Sequence, residues 1–174
     1  MSDIGYIFAK IKCVLKGRNP EVINDYFRKK GVTIGNNSHI FSNISKGEPY
    51  LIRIGNDVTI SNNVSLITHD SSISKAMPEF TDIFGEVEID DKCFIGMNSI
   101  ILPGVHICEN VIVAAGAVIT KSINEPGTIW GGVPAKKIGT VQQFGEFNRR
   151  YAVDLRKVTS GKEEFIKNCK KIKK

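Results

Sequence analysis

Aliphatic residues recur at every sixth position through the middle of the chain. Short series begin at Ile34 and Ile54, and a longer series runs on from Ile89 without a gap. A period of six matches neither the 3.6-residue turn of a helix nor the two-residue alternation of a simple strand. It is typical of short strands joined by turns, with one aliphatic side chain per unit pointing inward. The positions concerned are Ile34, Ile40, Ile54, Ile60, Leu66, Ile89, Ile95, Ile101, Ile107, Val113 and Ile119.

Residues suited to turns lie between these positions. Pairs such as Gly35-Asn36 and Asp90-Asp91 supply backbone conformations that β-branched residues resist. Three strand-and-turn units form one triangular coil, and the stacked coils of a β-solenoid share a continuous aliphatic core. We therefore predict a mainly β fold whose coils span residues 34 to about 51, 54–71, 89–106 and 107–124.

Two segments interrupt the repeat. The spacing slips between residues 44 and 54, where the letters KGEPY indicate a small insertion. The pattern vanishes between residues 71 and 87, where we expect a loop that leaves the stack. Loops on a rigid scaffold often carry function. His69 lies where this loop departs, which makes it the first candidate for chemistry.

Both ends of the chain have helical patterns. Near the start, an apolar stripe at helical spacing consists of Ile4, Phe8, Ile11 and Leu15. A second helix is predicted with a cap at Asn19, Pro20 at its first position and an end near Lys30. Toward the other end, Ser160 and Glu163 predict a capping box before a short basic helix.

These patterns divide the chain into a helical segment at 1–30, a β-solenoid at 31–139 with its loop at 71–87, and a helical basic tail at 140–174. Terminal helices can close the open ends of a solenoid, whose edges would otherwise pair with other chains. We expect the first helix to pack in this way. The alternative is that it lies on a membrane surface.

Composition narrows the function classes. The 174 residues fit one domain with a sizeable core, and 41% apolar with 24% charged residues is ordinary for a soluble protein. No apolar run is long enough to predict a transmembrane helix, and the first residues do not have the layout of a secretory signal. Four widely separated cysteines without metal-ligand spacing indicate thiols that stay reduced in the cytoplasm.

The net charge of +6 is concentrated in the tail, which ends KNCKKIKK. Such a tail can be solvated, or it can contact anionic lipid, a polyphosphate ligand or nucleic acid. No nucleic-acid-binding motif accompanies it, so we expect no nucleic-acid partner. A peripheral membrane contact through the basic tail stays open.

The repeat, together with VIVAAGAVITKSINEPGTIWGGVPAKKIG at 111–139, resembles the hexapeptide-repeat acyltransferases. The resemblance is strongest to the galactoside, maltose and xenobiotic acetyltransferase group, and it covers residues 31–139. It implies a left-handed parallel β-helix with short terminal helices. It also implies a homotrimer with active sites between neighbouring chains, acetyl-coenzyme A as the acetyl donor, and no metal.

His69 matches the catalytic histidine of this family, which precedes the protruding loop. An imidazole that titrates near neutrality can take the proton of a sugar hydroxyl as that hydroxyl attacks a thioester carbonyl. Asp70 could orient the imidazole or bind the acceptor. Asn43 matches an asparagine that contacts the acceptor or a transition-state oxygen, because an amide can hold a hydroxyl in attack geometry.

The resemblance assigns the thioester and pantetheine arm of acetyl-coenzyme A to two pairs of residues. Gly96-Met97 and Ala115-Gly116 match positions whose backbone groups bind this part of the donor. Small residues would let the arm run close along the wall. The backbone N–H near Met97 could stabilise the thioester oxyanion.

The nucleotide end of the donor is assigned to residues farther along the chain. Thr120 and Lys121 match positions near the phosphates. Trp130 offers a flat face for the adenine or the pantetheine, and Lys136 and Lys137 can meet phosphate charge. Some related enzymes have arginine near this point, and lysine does not form the same bidentate contact.

The leading hypothesis is an O-acetyltransferase that transfers acetyl to a carbohydrate hydroxyl, in surface-polysaccharide biosynthesis, by direct attack with His69 as base. The acceptor could be a free sugar, a lipid-linked oligosaccharide, a growing polysaccharide unit, or, as a further class, a drug. Two alternatives stay open: N-acetylation of a nucleotide-linked amino sugar, and a non-catalytic scaffold. The γ-class carbonic anhydrases share this solenoid, but the spacing of His39, His69 and His106 fits their three-histidine zinc site poorly.

Overall fold

The computed structural model describes residues 3–158 and 161–172, and it is mainly β with short helices toward both ends, as the sequence predicts. The helices are α1 (Ile4–Leu15), α2 (Glu21–Lys29), α3 (Ile73–Ala76), α4 (Val141–Asn148) and α5 (Lys162–Asn168). The strands are β1 (Thr33–Ile34), β2 (His39–Ile40), β3 (Ile52–Ile54), β4 (Thr59–Ile60), β5 (Ser65–Leu66), β6 (His69–Asp70), β7 (Ile83–Phe84), β8 (Val87–Ile89), β9 (Phe94–Ile95), β10 (Ile100–Ile101), β11 (His106–Ile107), β12 (Ile112–Val113), β13 (Val118–Ile119), β14 (Thr128–Gly132) and β15 (Ala135–Thr140).

Most strands belong to three sheets that the chain visits in turn. Sheet A has the order β1-β3-β8-β11, sheet B has the order β15-β14-β12-β9-β4-β2, and sheet C has the order β13-β10-β5. Pairing is parallel throughout except for the antiparallel β14–β15 hairpin. We call one passage through the three sheets a coil. The first coil has no strand in sheet C, so β5 is the edge of that sheet.

The six-residue aliphatic positions form the core. Each of them is buried, and their strands pair in register, as with Ile60↔Ile95 in sheet B and Leu66↔Ile101 in sheet C. Full burial of one such side chain contributes about 1.5–3 kcal/mol, before the entropic cost of ordering the chain. The stacked aliphatics therefore hold successive coils at a fixed register.

The turns between sheets explain the Asn, Asp and Gly in the repeat. Asn63, Asn98 and Gly116 have positive φ angles and occupy equivalent turns of successive coils, between sheets B and C. Asparagine and glycine adopt this left-handed conformation most readily. Backbone hydrogen bonds link the stacked turns, with Asn98 N donating to Asn62 O at 3.2 Å. A polar residue type is thus selected at each corner by backbone geometry.

The two interruptions lie at the same end of sheet C. Residues 45–51 replace the missing strand of the first coil and include a short 3-10 helix at Pro49–Leu51. Residues 71–86 leave the stack, form α3, and return through β7, which pairs antiparallel with β6. Gly85 N donates to Thr68 O at 2.9 Å, so the loop begins and ends beside the same residues.

The first helix packs through the opposite face from the one expected. Tyr6 and Ala9 are buried, and the Tyr6 hydroxyl donates to Phe41 O at 3.1 Å. The apolar stripe that includes Phe8 and Leu15 is exposed, so the expectation that this stripe packs is wrong. An aromatic cluster of Tyr6 with Tyr26 and Phe27, the latter two from α2, holds the helix by its other side.

The remaining terminal features are as follows. Asn19 Oδ1 accepts from Glu21 N at 3.0 Å, so Asn19 caps α2 as predicted. Ser160, half of the predicted capping box, lies outside the described residues, and α5 begins at Lys162. None of the helices in the described ranges has the length and apolarity needed to span a bilayer.

Candidate active site

His69 is the first residue of β6, and it comes three residues after the end of β5 in sheet C. Its Nδ1 is 2.9 Å from Oε2 of Glu48, which comes from the insertion in the first coil. In the neutral ring, Nδ1 carries the proton and donates a hydrogen bond to the carboxylate, since an ionised carboxylate can only accept one. The other nitrogen, Nε2, is then the one that can accept a proton. A histidine paired in this way is the arrangement of a general base with an orienting acid.

Thr68 and Gly47 fix the position of the Glu48 carboxylate. The Thr68 hydroxyl donates to Glu48 Oε2 at 2.6 Å, and the buried Thr68 side chain gives this contact a rigid base. Gly47 has a φ of +85°, and a Cβ there would lie 2.8 Å from Thr68 Oγ1. Only glycine therefore lets the insertion approach this closely.

The contacts shift the pKa of both partners in the direction expected for an ion pair. The hydrogen bond from Thr68, followed by that from His69, lowers the pKa of Glu48. The hydrogen bond to Glu48, with its negative charge, raises the pKa of His69 above the usual value for histidine. The imidazole is consequently a stronger base than an isolated histidine, and its protonated form is stabilised by the carboxylate.

A cavity of about 580 Å³ opens beside this pair. Its lining includes His69, Thr68 and Gly47 at one end and the asparagines of the sheet B–sheet C corner at the other. Asn43 lies in the same lining, so two of the residues singled out in the sequence face one space. Asn43 Oδ1 accepts from Ser45 N at 3.2 Å and from Ser45 Oγ at 3.0 Å, which holds its amide in place.

Asp70 is engaged elsewhere. Its Oδ1 accepts from Ser72 N at 2.8 Å at the start of α3, and this bond lowers the pKa of Asp70. The carboxylate that contacts the imidazole is that of Glu48, and the structure shows no such contact for Asp70. A contact between Asp70 and the acceptor stays a prediction.

Six of the residues assigned to acetyl-coenzyme A lie just before or just after the strands of sheet C. Met97 and Gly116 stack at the sheet B–sheet C corner, where Gly116 N donates to Met97 O at 2.8 Å. Gly96 and Ala115 adjoin them in the same stacked turns. Lys121 follows β13 and therefore lies at the opposite edge of the sheet, together with Thr120, on the side where His69 follows β5. The positions before and after these strands are separated, along the strand direction, by roughly 15–20 Å of extended chain.

The small residues of this strip have structural reasons of their own. A Cβ at Gly96 would lie 2.5 Å from Ala115 N, so the stacking of coils already requires glycine there. Gly116 has a φ of +73° and open space around it, which is the turn conformation shared with Asn98. Their binding of the donor stays a prediction.

The residues expected to contact the nucleotide lie on the β14–β15 hairpin. Trp130 packs partly against the core, and its Nε1 donates to Thr128 Oγ1 at 2.9 Å. Lys137 forms an ion pair with Glu125. Lys136 is exposed and pairs in the sheet with Gly131. Of the two lysines, Lys136 therefore has fewer constraints on meeting a phosphate.

The other two histidines have different partners. The His39 ring stacks on Phe41 with centroids 6.5 Å apart, and His106 Nε2 is 2.9 Å from Asp90 Oδ2. Among residues 3–158 and 161–172, no three side chains of His, Cys, Asp or Glu are grouped as metal ligands would be.

The chain is similar in sequence to a known family model and to several named proteins. The family model described as bacterial transferase hexapeptide (six repeats) matches residues 86–121. Protein CapG of Staphylococcus aureus is 43% identical over 139 residues, which are 76% of this chain and 80% of that protein. Galactoside O-acetyltransferase of Escherichia coli strain K12 is 26% identical over 74% of this chain and 62% of its own length.

A solved structure supports the same relationship. The hexapeptide-repeat acetyltransferase of Vibrio cholerae O1 biovar eltor, complexed with acetyl coenzyme A, is 26% identical, with a TM-score of 0.54. The match covers 64% of this chain and 61% of that one. The acetyltransferases among these relatives, one of them solved with acetyl coenzyme A, show that the chain is an acetyltransferase. Because the similarity to CapG extends over most of both chains and the hexapeptide model matches two complete coils, the chain belongs to the hexapeptide-repeat acyltransferase family.

Proposed function

We propose that this enzyme transfers the acetyl group of acetyl-coenzyme A to a hydroxyl of a carbohydrate acceptor, with His69 as general base. The observation that carries the proposal is the 2.9 Å contact between His69 Nδ1 and Glu48 Oε2 at the wall of a 580 Å³ cavity. A paired imidazole beside a space for an acceptor is what direct acyl transfer to a hydroxyl requires.

His69 carries one proton from the acceptor hydroxyl to the sulfur of the leaving coenzyme A. Acetyl-coenzyme A, when bound, supplies a thioester carbonyl as the electrophile. His69 Nε2 takes the proton of the acceptor hydroxyl while its oxygen attacks that carbonyl. As the carbon–sulfur bond breaks, the same nitrogen returns the proton to the leaving sulfur. Glu48 holds the ring in the required tautomer and stabilises its positive charge between these steps.

The described residues fit the donor at both of its ends. Exposed Ala115 and Gly116 leave open space along the wall for an extended arm. Exposed Lys121 and Lys136 provide positive charge for phosphates. On the acceptor side, we assign Asn43 to holding the attacking hydroxyl, because it shares the cavity with His69.

We further infer a left-handed parallel β-helix assembled as a homotrimer. The cycle through three parallel sheets and the hexapeptide-repeat relatives support the coiled fold. Met97 and Gly116 precede the strands of sheet C, whereas His69 follows one of them, and this separation supports the homotrimer. A neighbouring chain can bring its Met97 and Gly116 close to His69, whereas one chain alone holds these residues apart.

A carbohydrate acceptor and a role in surface-polysaccharide biosynthesis complete the proposal. The name of the galactoside O-acetyltransferase relative supports acetylation of a sugar oxygen. The four cysteines form no disulfide, which supports the predicted cytoplasmic location.

The test is acetyl transfer from radiolabelled acetyl-coenzyme A to a panel of sugars, each offered with a hydroxyl or with an amino group at the same position. Transfer to hydroxyl acceptors is expected. His69→Ala should lower kcat/KM by about 10²–10⁴-fold, because the base is lost. His106→Ala is the matched control, since His106 lies in sheet A and its Nε2 contacts Asp90 and not Glu48.

Two results would contradict the proposal. Equal turnover of His69→Ala and the unaltered enzyme would show that His69 is not the general base. Transfer only to amino sugars would show that the reaction is N-acetylation and not O-acetylation. Circular dichroism of each variant separates loss of chemistry from loss of fold.

A further inference from the structure

The outward face of α1 is apolar along its whole length. Ile4, Phe8 and Leu15 are 69%, 66% and 81% exposed, and Ile7, Ile11 and Val14 are exposed beside them. At 3.6 residues per turn these six residues share one side of the helix, opposite the buried Tyr6 and Ala9. A continuous apolar surface of this kind marks an interaction site.

Lysines border this apolar face on both sides. Lys10 lies along one border, where its Nζ is 4.7 Å from the centre of the Tyr6 ring. Lys12 and Lys16 lie along the other border, and all three lysines are exposed. Helices that lie in the plane of a membrane bury an apolar face and carry lysines that reach toward anionic headgroups.

The charges favour a membrane over a contact between the α1 helices of two copies of the chain. A symmetric contact between two α1 helices would bring the lysine borders of both copies together. An anionic lipid surface complements the same lysines, each of which contributes to the attraction. With 12 residues, α1 is about 18 Å long, which suits a helix lying on a bilayer and not one crossing it.

The inner side of α1 adjoins the candidate active site. Tyr6 and Lys10 line the same 580 Å³ cavity as His69 and Asn43. A membrane against the outer side of α1 would therefore place this cavity next to the lipid headgroups. A saccharide attached to a lipid could enter it without leaving the membrane.

We propose that α1 docks the enzyme on an anionic membrane and that the acceptor is a saccharide carried by a lipid in that membrane. The acceptor part of this statement rests on the function proposed above. The docking part does not, because it concerns a surface that contains none of the residues assigned to catalysis.

Flotation with lipid vesicles tests the docking without donor or acceptor. Vesicles of phosphatidylcholine with phosphatidylglycerol should bind the protein, and vesicles of phosphatidylcholine alone should bind it at least about tenfold more weakly. Phe8→Glu should lower binding to the anionic vesicles by tenfold or more. Phe94→Glu is the matched control, since Phe94 is 44% exposed but lies in β9 of sheet B.

Three results would overturn the docking: failure of the unaltered protein to bind anionic vesicles, equal binding by the Phe8 and Phe94 variants, or a change of oligomeric state in Phe8→Glu without lipid. The last would assign the face to a second copy of the chain. Light scattering in lipid-free buffer measures it.

A pair of acceptors tests the substrate class once a sugar is identified in solution. The dodecyl glycoside of that sugar is placed in anionic vesicles, and its methyl glycoside is used in solution. Phe8→Glu should lower the rate on the dodecyl glycoside by tenfold or more and leave the rate on the methyl glycoside unchanged. Equal rates of both enzymes on both acceptors would overturn the assignment of a lipid-carried acceptor, even if acetyl transfer itself is confirmed.

Discussion

The uninterrupted coils and the insertion at residues 45–51 use their polar atoms differently. In the coils, polar side chains at the turns bond mainly to neighbouring turns, as Asn56 does with Asp91 at 2.7–3.2 Å. In the insertion, the polar side chain of Glu48 bonds to Thr68 and His69 beside a cavity. The hydrogen bonds of the coils thus hold stacked turns together, whereas the insertion directs a carboxylate at the candidate base. The comparison teaches that stability and chemistry are located in separate segments.

The largest expected effect on stability comes from a coil. Ile101→Ala removes a fully buried side chain and should lower the free energy of unfolding by about 2–5 kcal/mol. Ile83→Ala, in the protruding loop, removes the same atoms from a half-exposed position and should cost less than about 1 kcal/mol. Chemical denaturation of both variants measures the difference. Equal losses would mean that the loop belongs to the same cooperative core as the coils.

Removing the carboxylate bonded to His69 should act mainly on catalysis. Glu48→Ala is expected to lower kcat by up to about 10²-fold, because the imidazole loses its fixed orientation. Asp70→Asn is the matched control, since Asp70 accepts its hydrogen bond from Ser72 and not from the imidazole. Steady-state kinetics with saturating donor give the comparison. A larger loss of kcat for Asp70→Asn than for Glu48→Ala would contradict the orienting role of Glu48.

The smallest expected effect comes from the glycine that lets the insertion approach. Gly47→Ala introduces a Cβ 2.8 Å from Thr68 Oγ1 and should displace Glu48 from His69. Gly17→Ala has a similar positive φ of +69° but no atom within 4 Å, so it controls for backbone strain, about 1 kcal/mol in each variant. Lower kcat in the Gly47 variant alone is expected. Equal kcat in the two variants would show that the close approach of Gly47 to Thr68 has no catalytic consequence.

The repeat predicted the coils well because each aliphatic position reports directly on its own burial. Ile95 and Ile101 pack against their six-residue neighbours whatever the rest of the chain does. The position of His69 at the start of a loop was likewise visible, since the pattern ends there. Asn43 faces the same cavity, although many asparagines of the repeat serve only as turn residues.

Two features could not be read from the sequence. Glu48 lies 21 positions before His69 in a segment without periodicity, so nothing in its spacing indicated that the two meet. The one available signal was that an acid follows glycine where the repeat slips. The stripe of α1 was visible, but a helical period does not say whether an apolar face meets protein or lipid. The aromatic packing of Tyr6 shows that the helix is held through its other face, and contact of the stripe with lipid stays a proposal.

The pH dependence of kcat/KM in the unaltered enzyme and in Glu48→Gln tests the pairing most directly. The base must be neutral to accept a proton, so activity falls as pH drops through the pKa of His69. The Glu48 carboxylate raises that pKa, and glutamine removes the charge while keeping an acceptor oxygen. We therefore expect the acidic limb of the Glu48→Gln profile to move to lower pH, with a lower plateau. An acidic limb that stays in place, or moves to higher pH, would contradict the assignment of Glu48 and His69 as a catalytic pair.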